Sequence, residues 1–265
     1  MPVIVPPIAQ LQAPATWRTV DLISDLHLQA SEPVTFAAWL SYMAETPADA
    51  VLILGDLFEV WVGDDEVSSS PFLQSCTQVL RAAGKRLYLG LMHGNRDFLM
   101  GPDFVDSCHA HFLQDPTQLT LGDSSWLLSH GDALCTQDIE YQAFRQQVRS
   151  PVWIDGFNSK PLAERQAMAR GLRTESEARK GNALTYADAD TALCLAWLAQ
   201  TTSRQLIHGH THQPANHVLA QAGVNPMERI VLSDWDLQAH PPRAQVLRLN
   251  ASGEHQRVDL IDLSV

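Results

Sequence analysis

Apolar and polar positions along the chain follow two rhythms. Short, mostly apolar runs, most of them followed by glycine or histidine, read as strands, and the unbroken run 50–54 as one buried on both faces. They cover residues 19–23, 50–54, 87–92, 119–121, 126–129 and 205–207. Helical spacing marks residues 33–44, 70–83 (stopped by Gly84) and 188–202. Strand, helix and strand in succession predict βαβ units, right-handed and parallel. Residues 119–121 and 126–129 flank Gly122-Asp123-Ser124-Ser125, a hairpin signal. Residues 229–232, 244–249 and 257–261 read as a closing antiparallel sheet. Residues 138–182 have helical composition and little strand signal. Residues 1–16, with Pro2, Pro6, Pro7 and Pro14, read as an extended arm and a poor signal peptide. The main domain is expected over 17–265.

Composition narrows the function. A chain of 265 residues with 45% apolar positions is long enough for one large core. A net charge of −12 excludes general nucleic-acid binding through phosphates. Cys76, Cys108, Cys135 and Cys194 are scattered and read as reduced thiols rather than a disulfide framework or zinc ribbon. No apolar stretch reaches bilayer-spanning length, so any membrane contact is expected to be peripheral. The segment 138–182 reverses the overall charge. It holds eight of the 18 Lys and Arg residues against six acids, a balance of +2. Basic residues mixed with Val148, Trp153, Ile154, Phe157, Leu162, Met168 and Leu172 suit an anionic head group with acyl tails, although such charges can equally form a solvated helix face.

The strand ends carry the candidate chemistry. Asp25-Leu26-His27, Gly55-Asp56, Gly94-Asn95, His130-Gly131 and His208-Gly209-His210 each follow an apolar run. The carboxyl ends of parallel strands are where open α/β sheets bind ligands. Each motif alone reads as turn chemistry or a satisfied histidine. Together they offer four imidazoles (His27, His130, His208, His210), two carboxylates and the Asn95 amide oxygen. Nitrogen and oxygen ligands without thiolate suit Mn, Fe, Zn or Mg. Asp56 reads as the carboxylate shared by two metal ions, which at roughly 3.5–4 Å apart clamp a phosphoryl displacement. His93, His109, His111, His212 and His217 read as outer or surface residues, His212 being the best placed. Trp61 and Trp153 read as core or interface aromatics, and Asp64 and Asp65 as residues that orient a loop.

In this order the motifs resemble the calcineurin-like metallophosphoesterases, over about residues 20–235. That resemblance implies an α/β fold, a four-layer α/β/β/α sandwich of two mixed sheets with helices outside. It implies Asp25, His27, Asp56 and His210 around one metal, and Asp56, Asn95, His130 and His208 around the other, with a hydroxide between them as nucleophile. One departure is informative. The usual Gly-Asn-His-Asp/Glu reads Gly94-Asn95-Arg96-Asp97 here. The family's histidine helps protonate the leaving group, whereas arginine stays charged and grips phosphate oxygens in pairs. A phosphate leaving group needs little protonation, so the change fits a pyrophosphate substrate.

With Gly55-Asp56-Leu57-Phe58-Glu59, Trp61-Val62-Gly63-Asp64-Asp65, Arg96-Asp97-Phe98-Leu99 and Ser129-His130-Gly131-Asp132, the chain resembles the UDP-2,3-diacylglucosamine pyrophosphatase family of lipid A biosynthesis. This implies hydrolysis to UMP and 2,3-diacylglucosamine 1-phosphate with two Mn2+ per subunit. It implies a monomer, peripheral on the cytoplasmic face of the inner membrane, with 138–182 as an inserted helical lid over acyl chains. Asn95, Arg96 and His130 are the implied catalytic residues. Asn95, Arg96, Asp138, Lys180 and His208 are the implied substrate contacts. Arg170 takes a further polar lid position by spacing, and Arg173 and Glu177 fall near small polar contacts of that family. Two alternatives stay open: a calcineurin-like phosphodiesterase or nucleotide pyrophosphatase acting on a soluble substrate, and a scaffold without catalysis. An apolar cleft under the lid separates the first from the acylated substrate; a loss of metal ligands would mark the second.

Overall fold

The computed structural model describes residues 5–182, 188–221 and 226–261, and of residues 173–182 the helical backbone alone. In chain order its elements are β1 (Ala9–Gln12), β2 (Thr19–Ile23), α1 (Pro33–Glu45), β3 (Ala50–Leu54), α2 (Pro71–Gly84), β4 (Tyr88–Met92), α3 (Pro102–Ser107), β5 (His111–Leu113), β6 (Thr117–Leu121) and β7 (Ser124–Ser129). There follow α4 (Ile139–Val148), α5 (Pro151–Asn158), α6 (Leu162–Asn182), α7 (Thr191–Leu198), β8 (Gln205–His208), β9 (Ala215–Ala220), β10 (Met227–Val231), β11 (Gln245–Asn250) and β12 (His255–Asp259).

The strands form two mixed six-stranded sheets. The first runs β1-β6-β7-β8-β10-β9 and the second β12-β11-β2-β3-β4-β5. In the second, β2, β3 and β4 are parallel neighbours, so their carboxyl ends share one rim. In the first, β7 and β8 are parallel and share another. Alternation along β3 shows how the layers stack. Ala50, Leu52 and Leu54 pack between the sheets with Leu119, Trp126, Ile207 and Leu247. Val51 and Ile53 face the other way, onto a cluster holding Trp39, Met43, Cys76 and Leu80 of α1 and α2. On the far side α7 covers the first sheet, Cys194, Trp197 and Leu198 meeting Leu127 and Leu206. The order is therefore helix, sheet, sheet, helix. Burying each large apolar side chain contributes about 1.5–3 kcal/mol, which is why an uninterrupted run such as Ala50–Leu54 settles in the middle. All four cysteines are free and buried.

Two expectations change. Ala9–Gln12 is an edge strand, parallel to β6, within the segment read as an arm. The C-terminal strands do not form one closing antiparallel sheet. β10 pairs parallel with β8 and antiparallel with β9, whereas β11 joins the other sheet, antiparallel to β12 and β2. Period-two patterning marks a strand but says nothing of which sheet receives it.

The segment 138–182 forms α4, α5 and α6. Caps set its breaks: Asp138 Oδ1 accepts from Tyr141 N at 3.0 Å and starts α4, and Ser150 Oγ accepts from Trp153 N at 3.4 Å and starts α5. Several of its basic residues are structural. Buried Arg165 donates to Val62 O and pairs with Asp65. Arg145 and Arg149 meet buried Asp132, at 2.8 and 3.0 Å. The side chains of Arg173, Glu177 and Lys180 lie outside the described residues.

Candidate metal centre

The two rims meet, and the turns that leave them cross-link. Asp25 N donates to Gly55 O at 3.1 Å and His27 N to Asp56 O at 3.0 Å, tying the β2 turn to the β3 turn. Gly209 N donates to His130 O at 2.9 Å, tying the β8 turn to the β7 turn. His210 N donates to Asp25 Oδ2 at 2.9 Å and joins one sheet to the other. Glycine is required where the turns touch. Gly55 has φ +89°, and a Cβ there would meet the Gly94 backbone at 2.7 Å. A Cβ at Gly209 would collide with the Asp25 carboxylate and Ser24.

Asp25, His27, Asp56, His210 and His212 all have positive φ, between 47° and 66°. A non-glycine residue held there costs on the order of 1–3 kcal/mol. Five such residues at one rim indicate a geometry kept for something other than stability.

Their side chains converge as two clusters that share Asp56. Asp56 Oδ2 lies 3.8 Å from His27 Nε2, and Oδ1 lies 3.8 Å from His130 Nε2. On the first side, His212 Nε2 is 3.2 Å from His27 Nε2 and 3.4 Å from Asp25 Oδ1. On the second, Asn95 Oδ1 sits 3.0 Å from His130 Nε2 and 2.8 Å from His210 Nδ1. The ligand atoms of Asp25, His27 and His212 lie within 4.8 Å of one another, as do those of Asp25, Asp56 and His130. These hard oxygen and imidazole donors fit divalent cations. Asp25 Oδ1 supports the fit, being buried with no hydrogen-bond donor among the described residues.

The electrostatics agree. Burial would raise Asp25, but contact with His212 and the charges of His212, His130 and His27 hold it far below the usual carboxylate range. Burial would discharge His130, yet Asp56, Asp132 and Asp25 push its pKa up to about 9. Burial raises Asp56 against the pull of His130 and His27. Three buried carboxylates thus draw positive charge to this rim.

The structure brings together Asp25, His27, Asp56, Asn95, His130 and His210, with the His210 ring against Asn95 rather than beside His27, and it sets His208 apart. His208 is the last residue of β8; its Nδ1 lies 2.8 Å from Gly209 O, and its Nε2 is buried without a partner. Burial and the nearby Arg229 lower its pKa to about 4. Among the described residues it shares no hydrogen bond or ion pair with the cluster, whereas His212, read as an outer residue, stands inside it. A signal was available. Asp25, Asp56, Asn95 and His130 all lie beyond the last residue of their strands, and His210 and His212 do too.

Surrounding residues hold the turns. Asp97 accepts from Leu57 N and Gly94 N, both at 2.8 Å. Arg96 N donates to Asp56 Oδ1 at 2.8 Å. Its partly exposed guanidinium lies 3.7 Å from Glu59. Buried Asp132 accepts from Tyr141 Oη at 2.7 Å as well as from the two arginines, and Arg149 also donates to Gly94 O at 2.9 Å. Helix α4 is thereby clamped to both the His130 and Asn95 turns. Trp61 Nε1 donates to Asp64 Oδ1 at 3.1 Å, and Asp64 caps α3 through Phe104 N at 2.9 Å, so this aspartate orders a loop.

No family model matches the chain. A UDP-2,3-diacylglucosamine hydrolase of Stutzerimonas stutzeri is 41% identical over 239 residues, covering 89% of this chain and 96% of that protein. One from Bordetella pertussis is 41% identical over 246 residues, with 91% and 95% covered. One from Marinobacter nauticus is 43% identical over 224 residues, with 82% and 90% covered. Among solved structures, an archaeal phosphodiesterase superposes at TM-score 0.45 with 11% identity over 91% of this chain and 99% of that one, too distant to build upon. The curated relatives are similar along nearly their whole length, and the chain belongs to the UDP-2,3-diacylglucosamine hydrolase family.

Proposed function

We propose that the protein hydrolyses the pyrophosphate of UDP-2,3-diacylglucosamine, giving UMP and 2,3-diacylglucosamine 1-phosphate, at a pair of divalent cations, with Mn2+ the first choice. The observation that carries this is Asp56, whose two carboxylate oxygens face separate clusters of ring nitrogens and oxygens. Asp25, His27, Asp56 and His212 would hold one cation; Asp56, Asn95, His130 and His210 the other. When bound, the pair supplies Lewis-acid activation of water and neutralises charge on the phosphate oxygens. Water adds to one phosphorus, and the bridging oxygen leaves with the other as a phosphate.

Arg96 then has a direct role. Its backbone is tied to Asp56, and its partly exposed guanidinium, 3.7 Å from Glu59, can pair with phosphate oxygens as charge moves onto the leaving group. The Asn95 amide, held between His130 and His210, orients the same phosphates. His130 keeps its ring fixed through Nδ1, 2.9 Å from Leu54 O. Neither Asp138 nor Lys180 is needed for this step; both remain proposed contacts to the sugar or acyl region, Asp138 alongside its capping role. His208 is not in either ligand set.

The lid reading has its own support. A cavity of about 300 Å³ opens among α4, α5 and α6, lined by Phe144, Val148, Trp153, Met168 and Leu172. Of the nine large apolar side chains exposed among the described residues, five stand on these helices: Ile139, Phe144, Val152, Met168 and Leu172. Apolar walls suit acyl chains, at about 0.8 kcal/mol per buried methylene. No described helix is long and apolar enough to cross a membrane. Exposed Ile139 and Val152 suit peripheral attachment to a membrane surface through apolar contact. The test is hydrolysis of UDP-2,3-diacylglucosamine beside UDP-glucose and bis(p-nitrophenyl) phosphate, with Mn2+ restored after chelation. The diacylated substrate is expected to be strongly preferred, and only with metal. Equal efficiency on UDP-glucose would favour a soluble-nucleotide pyrophosphatase.

A further inference from the structure

We propose that Glu59 and Asp234 are positioning residues behind His27 and His212, and that they make the cation site of Asp25, His27, Asp56 and His212 the tighter of the two. The inference rests on the two-cation reading above. Glu59 closes the Gly55–Glu59 motif and has no part in that reading. Its backbone N–H donates to Leu28 O at 3.3 Å, and Leu28 pairs with Phe58, so Glu59 is carried beside the His27 turn. One carboxylate oxygen lies 2.9 Å from His27 Nδ1 and the other 3.7 Å from Arg96 Nη1. The contact is an ion-pair approach without hydrogen-bond alignment, and a negative charge this close favours the proton on Nδ1 and leaves the lone pair on Nε2. Nε2 is the nitrogen that faces Asp56 and His212.

His212 is arranged alike. Its Nδ1 is 3.6 Å from Asp234 Oδ2, an ion-pair rather than a hydrogen-bond separation. Asp234 is itself gripped by Arg243 through two bonds of 2.8 and 2.7 Å. With both outer nitrogens turned to carboxylates, the two Nε2 atoms 3.2 Å apart both present lone pairs. Two lone pairs do not bond each other; they converge on a cation. The other cluster is backed differently. His130 turns its outer nitrogen to the neutral carbonyl of Leu54 at 2.9 Å. A carboxylate behind an imidazole raises its basicity and fixes its orientation, and losing such a partner typically costs 10–100-fold in metal affinity.

The test is titration of the full-length, chelator-stripped protein with Mn2+, free Mn2+ being read by electron paramagnetic resonance and the fold by circular dichroism. The wild type is expected to fill two sites in two resolved steps. Glu59→Gln keeps shape and removes charge; it should weaken the first step by about 10–100-fold and leave the second unchanged. Asp234→Asn should act on the same step, by less because its separation is longer, and it carries the test if Glu59→Gln does not fold. His27→Ala should erase the first step. Equal affinities in the wild type, or variants that weaken the second step or neither, would overturn the proposal and leave the two-cation centre standing. Uptake of a single Mn2+ by the wild type, or two by Asp56→Ala, would overturn that centre itself.

Discussion

Asp56 holds φ 52° at the end of β3, one carboxylate oxygen towards His27 and the other towards His130. Its replacement removes a donor from both cation sites at once. Asp56→Asn, which tolerates the left-handed backbone, should stay folded while losing activity and both metals, read by metal analysis after desalting. The histidine triplet gives a sharper comparison. His212→Ala should lose about one equivalent of metal and nearly all turnover, whereas His208→Gln should keep both equivalents. The reverse pattern would restore His208 as the ligand. Arg96 touches phosphate rather than metal in this reading. One charge-assisted contact made mainly in the transition state is worth about 2–4 kcal/mol. Arg96→Ala should therefore turn over roughly two to three decades more slowly with metal content intact; loss of metal would make it structural.

At the scale of elements, the segment 138–182 proposed as a lid divides into two parts. α4 is bolted to the centre: Tyr141, Arg145 and Arg149 all bond buried Asp132, and Arg149 reaches Gly94 O. Burial would raise Asp132, but Arg149, Arg145 and His130 hold it well below the carboxylate range, so the clamp stays charged. α5 and α6 supply Trp153, Met168 and Leu172 to the cavity, and α6 is tied to the body away from the metal centre through Arg165. Replacing residues 150–182 by a short Gly-Ser loop should therefore spare metal binding and hydrolysis of bis(p-nitrophenyl) phosphate while activity on the diacylated substrate collapses. Equal loss on both would reject the lid. The basic character of this segment was plain in its composition, but the split into anchors and lining was not. Arg145, Arg149 and Arg165 look like any solvated arginine until buried Asp132 and the buried Val62 carbonyl are brought beside them.

The whole molecule is two sheets whose rims are held together by turns of high backbone cost, and bound cations are expected to stabilise it by linkage. At a hundredfold excess over Kd, one site contributes about 2.7 kcal/mol. Chelation should lower the melting temperature by several degrees, at roughly 2–4 °C per kcal/mol, with Mn2+ restoring it; an unchanged melting curve would mean that the cations do not bind the native fold. The apolar runs alone determined most strands and their parallel neighbours, and they put the ligand candidates just past the strand ends, because a buried strand needs continuous apolar residues and a ligand must stand beyond its end. Patterning could not decide which sheet takes β10 or β11, since period two is the same in either. It could not choose between His208, His210 and His212 either. In an extended chain all three would share one face; the strand ends at His208, and the left-handed turns at His210 and His212 then aim those two rings at different clusters. That choice depends on contacts with Asp25, His27 and Asn95, more than a hundred residues away, which only the tertiary structure makes.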